Sequence, residues 1–131
     1  MKTENKNILY LSYDGMTDPL GQSQVLPYIV GLCGKGYTFT LISCEKKDRY
    51  EKNKAIIQAI CKEHNIDWQP IPFSTKPPIL AKYYDIYKME QKAIQLHKQK
   101  DFAMVHCRSY ISAAIGEKLK KRFGVKYFFD M

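Results

Sequence analysis

No apolar run in this 131-residue chain approaches the roughly 18 residues needed to cross a bilayer, so no membrane span is expected. There is no C-x-x-C pair either. Cys33, Cys44, Cys61 and Cys107 are widely spaced in apolar or element-terminal contexts, which fits buried free thiols in a reducing compartment. No ligand spacing joins them to His64, His97 or His106, so no metal is expected. A G-x-G-x-x-G fingerprint is also missing. Gly15 and Gly21 are separated by Asp18-Pro19, too long and too stiff for a tight pyrophosphate turn, and no Walker Lys-Ser pair is present. NAD or ATP binding through those motifs is not expected. The polar stretch Met1–Asn7 lacks the apolar core of a secretory signal. Internal repeats and low-complexity segments are absent from the sequence.

What is present describes one globular α/β domain. Apolar residues make up 45% and aromatics 13%, enough for a packed core and against disorder. The net charge is +8, from 21 Lys+Arg against 13 Asp+Glu. That excess suits an anionic partner (a phosphate-bearing ligand, nucleic acid or an acidic membrane face) or simply a solvated helix exterior. Its clusters, Lys46-Lys47 with Arg49 and Lys118 with Lys120-Lys121-Arg122, have no interleaved aromatics of the kind that stack nucleic-acid bases.

Strand-like runs alternate with helical periods, which predicts a parallel sheet. The expected strands are 7–13, 37–43, 66–72, 102–106 and 125–129. The expected helices are 23–35, 51–64, 79–100 and 109–123, with 45–50 and 74–78 as loops. Ser23 is expected to cap the first helix, Pro27 to bend its first turn or tighten it toward a 3₁₀ form, and Gly36 to end it. Pro70 and Pro72 place the third strand at a sheet edge, consistent with the order 3-2-1-4-5 of a Rossmann-like three-layer αβα domain. On the long third helix, Tyr83, Ile86, Tyr87, Ala93, Ile94 and His97 are expected to share the inner side, and the Tyr83-Tyr84 and Tyr87 cluster is either that core stripe or an acceptor or lipid contact.

The most informative segment is Ile8–Gln24. There an apolar strand stops at a glycine-bearing loop that opens a helix, an arrangement that points N–H groups and a helix dipole into one crevice. Asp14 and Asp18 are candidates for sugar hydroxyls, or Asp18 for a local turn ahead of Pro19. Gly15 and Gly21 allow close backbone approach, or merely supply the dihedrals of a strand–helix loop. Gln22 offers a polar contact beside them. At the end of the fourth strand, His106 is a site residue or a histidine satisfied in the core. Arg108 can hold a phosphate or carboxylate, and Ser109 and Tyr110 follow it.

Asp14-Gly15-Met16-Thr17-Asp18-Pro19-Leu20-Gly21-Gln22-Ser23-Gln24-Val25-Leu26-Pro27-Tyr28 resembles the opening loop and first helix of bacterial family-4 (group 1) glycosyltransferases. Gly34-Lys35-Gly36-Tyr37-Thr38-Phe39-Thr40-Leu41-Ile42-Ser43 is similar to their second strand and Val105–Tyr110 to their fourth, while Phe128-Phe129-Asp130-Met131 looks like the start of a motif that continues further. The resemblance spans nearly the whole chain, and the first loop is its most specific part. It implies that residues 1–131 form the N-terminal, acceptor-side domain of a two-domain GT-B enzyme, whose donor-binding C-terminal domain is missing. That enzyme would transfer a hexosyl group from a nucleotide-sugar, with retention and without a metal or other cofactor, in cell-surface polysaccharide or lipid-linked glycan synthesis. The acceptor would be a glycan or lipid-linked sugar. The implied location is cytoplasmic, peripheral on the inner membrane face, with no nucleic-acid partner. This chain alone would be inactive. Many relatives carry His where Arg108 stands, so the resemblance transfers no catalytic residue here. The alternative is a non-catalytic flavodoxin-like or nucleotide-binding α/β module using the same crevice.

Overall fold

A computed structural model of the protein describes residues 5–74 and 77–130. Met1–Glu4, two of the five residues of the expected 74–78 loop (Thr75 and Lys76) and Met131 lie outside the described residues. Five parallel strands stand in the order β3-β2-β1-β4-β5, as the sequence predicts: β1 (Asn7–Ser12), β2 (Thr38–Glu45), β3 (Asp67–Pro72), β4 (Met104–Arg108) and β5 (Lys126–Asp130). The helices are α1 (Leu26–Cys33), α2 (Lys47–Glu63), α3 (Pro78–Lys100) and α4 (Tyr110–Phe123). None of the described helices is long and apolar enough to cross a membrane.

The central strands are apolar on both faces because both are covered, as parallel sheets require. Leu9, Leu11, Ile42, Cys44, Val105 and Cys107 face α3 and α4, meeting Met89, Ala93, Ile115 and Leu119. Ile8, Tyr10, Phe39 and Leu41 face α1 and α2, meeting Leu26, Ile29 and Ile57. Each such side chain contributes about 1.5–3 kcal/mol on burial. β3 is the edge strand its prolines demand, pairing Pro70 with Ser43 and Pro72 with Glu45.

Four local expectations are corrected. Helical geometry begins at Pro19, where Gln22 N–H bonds the Asp18 carbonyl at 3.1 Å, so Ser23 is not a cap; it is exposed within a helical turn. That turn, Gly21–Val25, is a wide π turn and not a 3₁₀ one. Pro27 has no N–H for the Ser23 carbonyl, and the Leu26 N–H instead reaches back five residues to the Gly21 carbonyl. Second, α2 starts at Lys47, inside the expected loop. The stretch Lys47-Asp48-Arg49-Tyr50 has no apolar periodicity, yet Asp48 in the first turn suits the helix dipole. Third, β4 lies two residues later than expected, with Arg108 paired to Ser12. Fourth, the inner row of α3 is Ala81, Asp85, Met89, Ala93 and Leu96, while Tyr83 and Tyr87 face outward. Hydropathy could not favour that row because Asp85 belongs to it. Its carboxylate is buried, accepting the Ser74 N–H at 2.9 Å and lying 3.4 Å from the Lys88 ammonium.

The candidate site at the β1–β4 switch point

Strand order reverses between β1 and β4, where the chain runs outward in opposite directions. In open α/β sheets such a switch point leaves a crevice at the carboxyl ends of the strands, and two junctions flank it here. One is the loop from β1 to the first helix; the other is the passage from β4 to α4.

The first junction is locked by a residue that pattern reading passed over. Glu45, the last residue of β2, is only 3% exposed. Its Oε2 accepts the Met16 N–H at 2.8 Å and the Ser43 hydroxyl. Its Oε1 accepts the Thr17 N–H at 3.1 Å and the Thr17 hydroxyl at 2.6 Å. The Trp68 indole N–H donates to Ser43 Oγ at 2.9 Å, leaving the Ser43 proton for Glu45. The Gly15 N–H turns to Asp18 Oδ2 at 3.4 Å, and Asp18 is held by Arg49 at 2.9 Å and Lys46 at 3.3 Å. The loop therefore does make an anion cradle, and Glu45 supplies the anion. The sequence did hold a clue: an acidic residue closing an otherwise buried apolar strand.

The glycines fit this packing. A Cβ on Gly15 would sit 2.6 Å from Glu45 Oε1; one on Gly21 would overlap the Gly15 carbonyl oxygen and sit 2.7 Å from Met16 Cα. Gln22 Nε2 donates to the Thr17 carbonyl at 3.0 Å, as does Asn53 Nδ2 at 3.3 Å. Asp14 and Gln22 are the exposed ones among the loop candidates, and Asp14 borders a cavity of about 290 Å³ with Asp18, Pro19, Leu20, Lys46 and Arg49.

The second junction is less tied. His106 is buried among rings, stacked on Tyr10 at 4.5 Å with Tyr28 and Phe128 edge-on at 5.4 and 5.0 Å. Arg108 donates to Gln24 Oε1 at 3.0 Å and so bridges the two junctions. Ser109 has φ +88°, a left-handed value that costs a non-glycine residue about 1–3 kcal/mol. It stands at the N-terminus of α4 without capping it, and the first turn of that helix holds no acid. The buried hydroxyls of Ser109 and Ser112 have no hydrogen-bond partner among the described residues. Tyr110 is exposed, with its ring 5.2 Å from that of Phe129.

A larger cavity, about 390 Å³, opens at the outer end of the same sheet edge between Glu45, Lys47, Tyr50 and Pro70–Phe73. It is mostly apolar-lined and lies two strands from the switch point, so the candidate site is placed at β1 and β4 on chemistry, not on size. No thiol is poised as a nucleophile: burial pushes Cys44 and Cys107 up to about 12 and Cys61 to about 11. Among the described residues, no group of three His, Cys, Asp or Glu could hold a metal.

No protein-family model matches the sequence, and no curated protein matches it. Solved structures do match in fold. The C-terminal domain of a Pyrococcus furiosus hydrogenase superposes with TM-score 0.71 at 16% identity, over 100% of this chain and 96% of that one. A glycosyltransferase from Rickettsia africae ESF-5 gives TM-score 0.60 at 15% identity, over 96% of this chain and 30% of that one. MurG of Acinetobacter baumannii gives 0.58 at 15% identity, over 95% of this chain and 34% of that one. At these identities the likeness shows a shared fold, and the chain spans about a third of each of these two enzymes. This is a Rossmann-like α/β domain, a fold it shares with that hydrogenase domain and with part of each glycosyltransferase.

Proposed function

We propose that the chain is the acceptor-side domain of a nucleotide-sugar-dependent, retaining hexosyltransferase of the family-4 type, acting in cell-surface polysaccharide or lipid-linked glycan synthesis. The donor-binding domain would be supplied by sequence outside this chain. One observation carries the reading. The Asp14–Gln24 loop, where the family resemblance is strongest, is joined by the Arg108–Gln24 hydrogen bond to the β4–α4 junction, where α4 begins without a side-chain cap. Free N–H groups, two buried hydroxyls and a guanidinium suit a phosphate-linked sugar. In this scheme Arg108, Ser109 and the first turn of α4 hold the acceptor's phosphate. Asp14 bonds a sugar hydroxyl, and the exposed ring of Tyr110 covers a sugar face. Glycosyl transfer would join the donor's anomeric carbon to an acceptor oxygen and release a nucleoside diphosphate. The groups that assist that step are not assigned to this chain.

An amide NMR titration with a soluble glycosyl phosphate tests the site. Shifts are expected at Asp14 and over 108–112, with none from a nucleotide-sugar. Silence at both junctions, or shifts confined to the cavity at Pro70–Phe73, would overturn the assignment. The rival reading, a self-sufficient non-catalytic module, draws on the near-complete coverage of the hydrogenase domain. It predicts that this chain alone binds a flavin or nucleotide at the switch point.

A further inference from the structure

We propose that the groove between α2 and the edge strand β3 binds an extended acidic oligosaccharide, one that carries carboxylates on alternate sugars. Two cavities make the groove. The one of about 390 Å³ at Pro70–Phe73 shares Tyr50 and Pro70 with a second of about 370 Å³, lined by Gln58, Cys61, Lys62, Ile66 and Trp68. On α2 the lining residues Lys47, Tyr50, Gln58, Cys61 and Lys62 follow helical spacing, so the groove runs beside the helix for about 22 Å. Rings dominate its lining. Tyr50 and Trp68 lie 5.8 Å apart at 48°, and Pro70, Pro72 and Phe73 continue the row. The Trp68 indole N–H is tied to Ser43 Oγ at 2.9 Å, so this surface is formed before any ligand arrives. Flat apolar rings of this kind match the C–H faces of sugar rings.

The main-chain edge and the charge select this occupant over a peptide. The Phe73 N–H bonds the Glu45 carbonyl at 2.9 Å, so Phe73, Ile71 and Gln69 turn their main-chain groups toward β2. Trp68, Pro70 and Pro72 turn theirs outward, and neither proline has an N–H to offer. The open edge therefore presents carbonyls with few donors; that of Pro72 already accepts the Lys88 ammonium at 3.1 Å. An added peptide strand needs donors and acceptors in alternation, whereas sugar hydroxyls can donate to carbonyls alone. Along the opposite wall, Lys47 and Lys62 stand at the two ends, and the Lys54 ammonium is 5.6 Å over the shared Tyr50 ring. These lysines are about 10 and 12 Å apart along the helix, a step that spans a pair of sugar rings. None of the three has a carboxylate partner among the described residues. Glu51 is the one carboxylate on that face of α2, and the carboxylate of Glu45 is 3% exposed and taken up by the β1 loop. Carboxylates on alternate sugars would meet successive lysines.

The groove lies two strands from the switch point and draws on no reading of that site: glycosyl phosphate can bind or fail at Asp14 and 108–112 without touching Trp68. Trp68 is the chain's single tryptophan, so its fluorescence reads the groove directly. The chain is titrated with a hyaluronan hexasaccharide, which has a uronate on alternate sugars, with neutral maltohexaose and with hexaglutamate. A saturable change in Trp68 emission is expected from the hyaluronan fragment, weakening as salt is raised. K47E/K62E should weaken binding by about fivefold or more. Lys98→Glu, a charge reversal on the other helix layer, should leave it unchanged. Circular dichroism establishes that each variant is folded. The proposal is overturned if the hyaluronan fragment leaves Trp68 unchanged, or if maltohexaose binds as tightly. Full binding by K47E/K62E, or an equal loss in the Lys98 variant, overturns it as well. Hexaglutamate binding as tightly as the glycan would assign the groove to an acidic peptide instead.

Discussion

The two junctions that flank the switch point differ in how their polar groups are used. In the β1 loop, the N–H groups of Gly15, Met16 and Thr17 all end on carboxylates of this chain, Asp18 for the first and Glu45 for the other two. At the β4–α4 junction, Ser109 is held at φ +88°, α4 is uncapped, and two buried hydroxyls have no partner among the described residues. The same strand–loop–helix geometry thus yields, in one place, N–H groups satisfied within the chain and, in the other, hydroxyls with no partner among the described residues. The first carries its own anion, whereas the second is suited to take one from a ligand. A glycine-bearing loop at a helix N-terminus therefore need not be the anion site.

The sharpest way to break that contrast is Glu45→Ala. It leaves two buried main-chain N–H groups and two hydroxyls without their acceptor. A loss of about 3–5 kcal/mol is expected, seen as a lower urea midpoint with an unchanged slope. If the loop is a preformed anion cradle, formate or acetate should restore part of the loss in this variant and have little effect on the parent. A loss under about 1 kcal/mol would mean that the loop holds its shape without Glu45.

Next in size is Gly21→Ala. The added methyl would overlap the Gly15 carbonyl and crowd Met16 Cα, both backbone, so the cost is about 2–4 kcal/mol. Gly31→Ala, on the exposed side of α1 with nothing within 4 Å of the added Cβ, should instead stabilise by about 0.5–1 kcal/mol through helix propensity. Opposite signs from one substitution type, read in the same denaturation experiment, would separate packing glycine from incidental glycine.

How much of this the sequence disclosed follows from which forces leave a periodic mark. The parallel order was legible because Pro70 and Pro72 can occupy only an edge strand, and because apolar runs alternate with helical periods. Asn65 and Gly124 take left-handed conformations just past 64 and 123, where the expected second and fourth helices stop. Two of the misses share one cause: a polar residue buried by partners outside its own element. Glu45 looked like the start of a charged loop until Met16 and Thr17 folded onto it. Asp85 hid the inner row of α3, so the tyrosines were assigned to the core they in fact face away from. At the site, the expected strand ended at His106, whereas β4 runs on to Arg108 and leaves His106 within the strand and buried. Their partners, Tyr10 and Gln24, come from contacts that no local pattern encodes.

The smallest effect bears on the open junction, and its sign matters more than its size. A buried hydroxyl without a partner costs stability, so Ser112→Ala should be neutral or stabilising by up to about 1 kcal/mol. Ser109→Gly should also stabilise, by about 1 kcal/mol, because glycine reaches φ +88° without strain. Both should weaken binding of a glycosyl phosphate in the NMR titration, since each removes a donor that the ligand would satisfy. A gain in stability paired with a loss in binding is what a site kept for a ligand must show. If Ser112→Ala instead destabilises the domain by more than about 1 kcal/mol, its hydroxyl is satisfied within the fold, and the two junctions are alike after all.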